Sequence, residues 1–119
     1  MSTAPEELRD RTKAFAIRIV KLYRSLPHTP DSQVVGKQLL RCGTSVAANH
    51  RAACRGRSRA EWIAKIGLVV EEADETVFWL EMLSDCGIVA SQRCEDILKE
   101  ARELSAIFTA TQHTARRVG

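Results

Sequence analysis

Apolar residues recur along the chain at alternating spacings of four and three, which is the period of one face of an α-helix. Proline and glycine divide this pattern into four long segments, and none of them shows the period-two alternation of a half-buried strand. We predict helices at about residues 5–26, 30–55, 59–86 and 91–113. Short links between them favour an all-α, antiparallel up-down-up-down four-helix bundle that occupies residues 1–119 as one domain.

Two local signals mark where helices begin and pack. Ser58 with Glu61 three residues later is a capping box, which predicts the start of the third helix. Gly36 and Gly43 are poor helix formers inside the second helix. They predict either tight packing against a neighbouring helix or a local kink, and the sequence alone leaves both open.

The third helix carries more apolar residues than one core stripe can use. At 100° per residue, several large side chains fall well away from the main stripe. An excess of this kind favours an interface between copies of the chain, although a broad core covered by loops would also account for it. The predicted interface residues are Leu68, Phe78, Trp79 and Met82.

The composition is that of an ordinary soluble protein, with 45% apolar and 28% charged residues. No apolar run approaches the roughly 20 residues of a membrane helix, and residues 1–10 lack the apolar stretch of a secretion signal. We therefore expect a cytoplasmic protein with no membrane partner.

Cysteine and histidine spacing does not indicate a metal site. The chain has no C-x-x-C pair and no histidine at zinc-finger distance from a cysteine, so we expect buried free thiols, and histidines that lie at the surface or at its edge and are not ligands. The residues concerned are Cys42, Cys54, Cys86 and Cys94, with His28, His50 and His113.

Charge is distributed unevenly around a net value of +3. Residues 1–65 carry 13 Lys and Arg against 5 Asp and Glu, whereas residues 66–119 carry 5 against 10. No acidic residue lies between Asp31 and Glu61. Cations aligned along one helix face can meet successive phosphates, so we predict nucleic-acid contact by the basic residues of this interval. They are Lys37, Arg41, Arg51, Arg55, Arg57 and Arg59.

Two other interpretations of the basic stripe remain open. It can be an ordinary solvated face, or it can lie against the acidic face of the third helix in another copy and fix the register of an assembly. That acidic face consists of Glu71, Asp74, Glu75, Glu81 and Asp85.

The chain shows no catalytic constellation. It lacks the Glu-x-x-His pairs of di-iron bundles and the glycine-rich loops that hold phosphates. We expect no enzymatic activity, no cofactor and no metal.

Three segments carry a family resemblance: residues 36–49 (GKQLLRCGTSVAAN), 57–65 (RSRAEWIAK) and 71–76 (EEADET). Together they resemble the bacterial four-helix bundle family first noted in intervening sequences of large-subunit ribosomal RNA genes. That family looks related to the accessory variability proteins of diversity-generating retroelements. The resemblance implies a ring of bundles, typically five, without known enzymatic activity.

For the accessory branch, the resemblance further implies a basic surface that binds RNA or DNA and a partner reverse transcriptase. By position, Asn49 and Glu75 match recurrent polar and acidic residues of the family, and Arg51 and Arg55 match basic positions. Many relatives carry a Glu shortly after the Asn, where this chain has alanines at 52 and 53. We expect a non-enzymatic, nucleic-acid-binding homo-oligomer, or alternatively a protein-interaction scaffold.

Overall fold

The computed structural model describes residues 4–118, and these residues contain four α-helices and no strand. The predicted helices are confirmed in number, order and approximate bounds. The fourth helix extends past the predicted end at residue 113. The helices are α1 (Pro5–Arg24), α2 (Pro30–Cys54), α3 (Arg59–Asp85) and α4 (Ser91–Val118).

The four helices form an antiparallel bundle that measures 46 × 24 × 21 Å. Each helix packs against the next one along the chain, and α1 also contacts α4. The α2–α3 pair has the most extensive contact and the α1–α4 pair the least. No helix in residues 4–118 is both long and apolar enough to cross a membrane.

One apolar stripe from each helix meets at the centre of the bundle. Burial of a large aliphatic or aromatic side chain contributes about 1.5–3 kcal/mol, so these stripes drive the association of the helices. The largest apolar side chains that are almost fully buried are Phe15, Ile19, Leu39, Val46, Ile66, Val69, Leu80, Leu83, Leu104 and Phe108.

The glycines of α2 allow α1 to approach closely. A Cβ at Gly43 would lie 2.9 Å from the side chain of Ile19, and one at Gly36 would lie 2.7 Å from the side chain of Leu26. The helix continues through both positions from Pro30 to Cys54. Of the two alternatives, tight helix packing therefore explains these glycines.

The ends of α3 follow the local signals. Ser58 Oγ accepts a hydrogen bond of 3.1 Å from the backbone N–H of Glu61, which confirms half of the capping box. The Glu61 carboxylate returns to the N–H of Arg57, at 2.7 Å, one residue earlier than the usual motif. At the other end, Gly87 has a φ of 69°, and this left-handed conformation favours glycine.

Two expectations about cysteine and histidine are wrong. Cys42 and Cys94 are buried as expected, and burial raises the pKa of both thiols, but Cys86 is exposed after the last turn of α3. His50 is only 4% exposed, so it is a core residue and not a surface histidine. The error arose because His50 lies immediately beside the apolar stripe of α2, where a small rotation decides burial.

Candidate nucleic-acid interface

All six predicted basic residues are exposed, but they differ in their partners. Among the described residues, no ion pair engages Lys37, Arg51, Arg55 or Arg57. Arg41 and Arg59, the other two, make contacts within the chain that hold helices together.

Arg41 connects α2 to α3 through acidic side chains. Its guanidinium forms ion pairs with Glu75 and with Glu72, the latter at 3.3 Å, and also donates to Gln38 at 3.1 Å. Part of the acidic face of α3 is thus paired with the basic stripe inside one chain. Such half-exposed pairs contribute little stability, but they offset much of the charge that Arg41 would offer a phosphate.

Arg59 connects the first turn of α3 to the last turns of α4. Its Nη2 donates a hydrogen bond of 2.7 Å to the carbonyl oxygen of Ala115. This contact depends on the extension of α4 beyond the predicted end. It uses one donor of the guanidinium fork and leaves the charge in place.

Two of the remaining cations, Arg51 and Arg55 of α2, form one wall of a groove between α1 and α2. The cations that line the other side are Arg9 and Lys13 of α1, and small residues also line the groove. The groove has a volume of about 680 Å³. We call this feature the basic groove. The other residues that line it are Asp10, Thr44, Ala47 and Ala48.

The electrostatics of the basic groove favour an anion. Four cations line it against the single carboxylate of Asp10, and none of the four has an ion-pair partner in residues 4–118. The positive charge also acts inside the bundle. Burial lowers the pKa of His50, and the charge of Arg9 lowers it further. The groove volume of about 680 Å³ is large enough to hold a phosphate group.

Sequence reasoning missed the two α1 cations. Arg9 and Lys13 lie opposite the apolar stripe of α1, so by themselves they look like solvated surface charges. A signal was present: each helix carries a basic pair at i, i+4 spacing, Arg9 with Lys13 and Arg51 with Arg55. Only the packing of α1 on α2 shows that the two pairs face each other.

The predicted interface residues divide into two pairs. Leu68 and Phe78 are 41% and 50% exposed, whereas Trp79 and Met82 are partly buried against the core of their own chain. The Phe78 ring meets Trp79 edge-on, with centroids 4.9 Å apart. The indole Nε1 of Trp79 is buried without a hydrogen-bond partner.

Neither the acidic residues nor the thiols of residues 4–118 gather into a group of three or more potential metal ligands. Asn49, which matches a recurrent polar position of the family, is partly buried on α2. The most evident chemical feature of the described residues is thus the set of cations without ion-pair partners in the basic groove.

The fold and the groove define a small all-α bundle protein with a basic cleft between its first two helices. The chain belongs to the 23S rRNA-intervening sequence protein family, whose model matches residues 7–110. This finding confirms the resemblance to the family of ribosomal RNA intervening sequences, whereas the relation to retroelement accessory proteins stays a prediction.

A solved structure has the same fold. It is the 1.70 Å crystal structure of a protein with unknown function from the S23 ribosomal protein family of Bacteroides thetaiotaomicron. The two chains are 34% identical, with a TM-score of 0.84 over 92% of this chain and 97% of the other. None of the curated proteins matches the chain.

Proposed function

We propose that this protein is a non-enzymatic, oligomeric accessory protein that binds the phosphates of RNA or DNA in the basic groove. The observation that carries the proposal is the pairing of two basic helix faces across one cleft. Arg51 and Arg55 are the central contacts, joined by Arg9 and Lys13 of α1. Arg57 and Lys37 lie outside the groove lining and extend the positive surface.

The groove supports contact with the nucleic-acid backbone rather than with particular bases. Its cations are long and flexible, and the chain has only six aromatic residues. Trp62, Phe15 and Phe108 are among those engaged with the core, so the groove has no stacking platform. Affinity should therefore depend strongly on salt and little on sequence.

The family resemblance adds to this proposal that the bundles assemble into a ring, typically of five. The exposed apolar side chains Leu68 and Phe78 support contact between copies, because water contact with such side chains is unfavourable. A ring would repeat the basic groove and multiply weak phosphate contacts by avidity. A reverse transcriptase as protein partner follows from the resemblance alone.

The test reverses the charge of the α2 wall. A chain with Arg51→Glu and Arg55→Glu should lose binding to a labelled RNA or DNA, measured by gel shift and fluorescence anisotropy, while its native mass is unchanged. Arg9→Glu with Lys13→Glu should have the same effect, since the groove needs both walls. For the unmodified chain, four phosphate contacts predict a log–log salt slope of about −3 to −4.

A matched control carries the same change in net charge at the other end of α1. Lys21→Glu with Arg24→Glu alters two exposed cations that do not line the groove. This variant should retain most of the affinity. Equal loss in the control would show nonspecific attraction to a positive protein, and full binding by the Arg51→Glu, Arg55→Glu chain would refute the proposal.

A protein-interaction scaffold is the second candidate, and the ion pairs of Arg41 with Glu72 and Glu75 favour it, because they show that cations of α2 pair with carboxylates of α3. In this alternative the basic and acidic stripes serve contacts between copies. High salt would then dissociate the assembly itself. Native mass measured across the same salt series separates the two functions.

A further inference from the structure

A second concavity lies at the end of the bundle where α1 begins and α4 ends. It has a volume of about 740 Å³, within the range of pockets that hold small molecules. All four helices contribute to its wall. We call it the end pocket. Among the residues that line it are Leu8, His50, Cys54, Arg59, Trp62, Phe108 and Ala110.

The interior of the end pocket is apolar. Leu8, Ile66 and Phe108 are buried in its wall, and Trp62 is partly buried beside them. No acidic residue lines it among the described residues. An ionised group is poorly solvated in such an interior, so a charged ligand would keep its charge at the mouth of the pocket.

Positive charge is concentrated at the mouth of the end pocket. Arg59 is its one charged lining residue, and the Ala115 carbonyl uses only one donor of its guanidinium. Arg59 is also the first residue of α3, where the helix dipole favours an anion. The nearby Glu61 carboxylate does not line the pocket, because it accepts the Arg57 N–H.

Two polar side chains, His50 and Cys54, interrupt the apolar wall at the inner end of the end pocket. The His50 ring lies 5.0 Å from that of Phe108, and its Nε2 lies 3.6 Å from Cys54 Sγ. Burial lowers the pKa of His50, which keeps the ring neutral near pH 7. Phe108 and Ala115 are seven residues apart on α4, so about 10 Å separates this level from that of Arg59.

We propose that the end pocket binds a small organic acid with an apolar body, whose carboxylate pairs with Arg59 while the body packs against the partly exposed side chains of Trp62 and Ile107, above the buried Leu8 and Phe108. The charges determine how the ligand is oriented. Its anionic group stays at the solvent-exposed, positively charged mouth, and its uncharged part extends toward His50. The separation of about 10 Å suits a body of roughly eight to ten carbons. This site is separate from the basic groove.

The experiment titrates the full chain with decanoate and follows binding by calorimetry and by the tryptophan fluorescence, to which Trp62 in the pocket and Trp79 outside it both contribute. Decanol has the same chain without the charge, and acetate has the charge without the chain. Decanoate should bind at least about fivefold more tightly than decanol, because an arginine–carboxylate hydrogen bond is charge-assisted. Acetate should show no measurable binding.

Two variants locate the site. Arg59→Gln removes the charge and should weaken decanoate binding about fivefold or more. Ala110→Phe places a bulky ring into the open space beside an exposed alanine and should block decanoate and decanol alike. Arg57→Gln is the matched control, because it removes an adjacent exposed arginine that does not line the end pocket.

The proposal is wrong if decanoate does not bind at millimolar concentration or if decanoate and decanol bind with equal affinity. It is also wrong if the Arg57→Gln and Arg59→Gln chains lose the same amount of decanoate affinity. Unchanged binding by the Ala110→Phe chain would place the ligand elsewhere and would also overturn it. Thermal unfolding of each variant shows whether a loss of binding reflects a loss of fold.

Discussion

At the scale of single residues, His50 is a titratable group that the fold removes almost completely from water. It is 4% exposed, its Nδ1 has no hydrogen-bond partner, and Arg9 adds positive charge nearby. Each of these features disfavours the protonated ring. The fold therefore holds a neutral histidine near a basic surface.

Acid should destabilise the protein through His50. Its pKa in the folded chain lies below the ordinary 6.5, so from about pH 6.5 downward the unfolded chain binds the proton more readily. The free energy of unfolding should thus fall with pH until the folded-state pKa is reached. Thermal melts between about pH 7.5 and pH 5.5 should show a steeper loss of Tm for the native chain than for His50→Gln. Parallel pH profiles for the two chains would contradict this assignment.

At the scale of helices, α1 and α2 pack tightly against each other at Gly43. Ile19 fills the space over Gly43 so tightly that even a methyl group has no room. Helix propensity and packing act in opposite directions at this position, because alanine is the better helix former but its Cβ would collide. Packing is the larger effect, since Ile19 is fully buried and cannot move outward.

Gly43→Ala should lower the free energy of unfolding by about 1–3 kcal/mol, as overpacked cores do. Gly67→Ala is a matched control on α3. Its Cβ would meet only the Gln112 side chain, at 3.3 Å, and Gln112 can move because it is partly exposed. That substitution should be neutral or stabilising by up to about 1 kcal/mol. Urea unfolding of both chains measures the difference; equal stability losses would be inconsistent with a steric origin.

Local sequence signals were enough to predict the helices but not how their faces meet. The Ser58–Glu61 box and the regular apolar spacing act within a few residues, so they are readable in one chain. The basic groove depends on how α1 is rotated against α2, which Gly43 and Ile19 set through contact distant in sequence. The same is true of His50, whose burial depends on Phe108 of α4.

At the scale of the whole molecule, the surface keeps apolar side chains that the bundle does not cover. Phe78 is 50% exposed and Leu68 41%, both on α3. The acidic face of the same helix is partly engaged by Arg41 within the chain. Apolar contact is therefore a stronger basis for assembly here than charge pairing between copies.

Phe78→Glu should shift the native mass toward the 13.3 kDa single chain, while Tm changes little because the ring is half exposed. Sedimentation at micromolar concentration measures this. Val34→Glu is the control, since Val34 is 63% exposed on α2. A native chain that sediments as a single copy would exclude the ring, and dissociation by the control alone would place the interface on α2.

The weak α1–α4 contact has a consequence for motion. Few residues of the described α1 and α4 approach each other closely. Polar contacts between the two sides include Arg11 to Glu100 at 2.6 Å, and Arg93 to Ser25, the residue after α1, at 2.7 Å. An interface with few contacts opens at lower free energy than an extensive one. Amide protons along α1 and α4 should therefore exchange with solvent sooner than those in the middle of α2 and α3. The bundle should open by separation of α1 from α4, while α2 and α3 stay packed together.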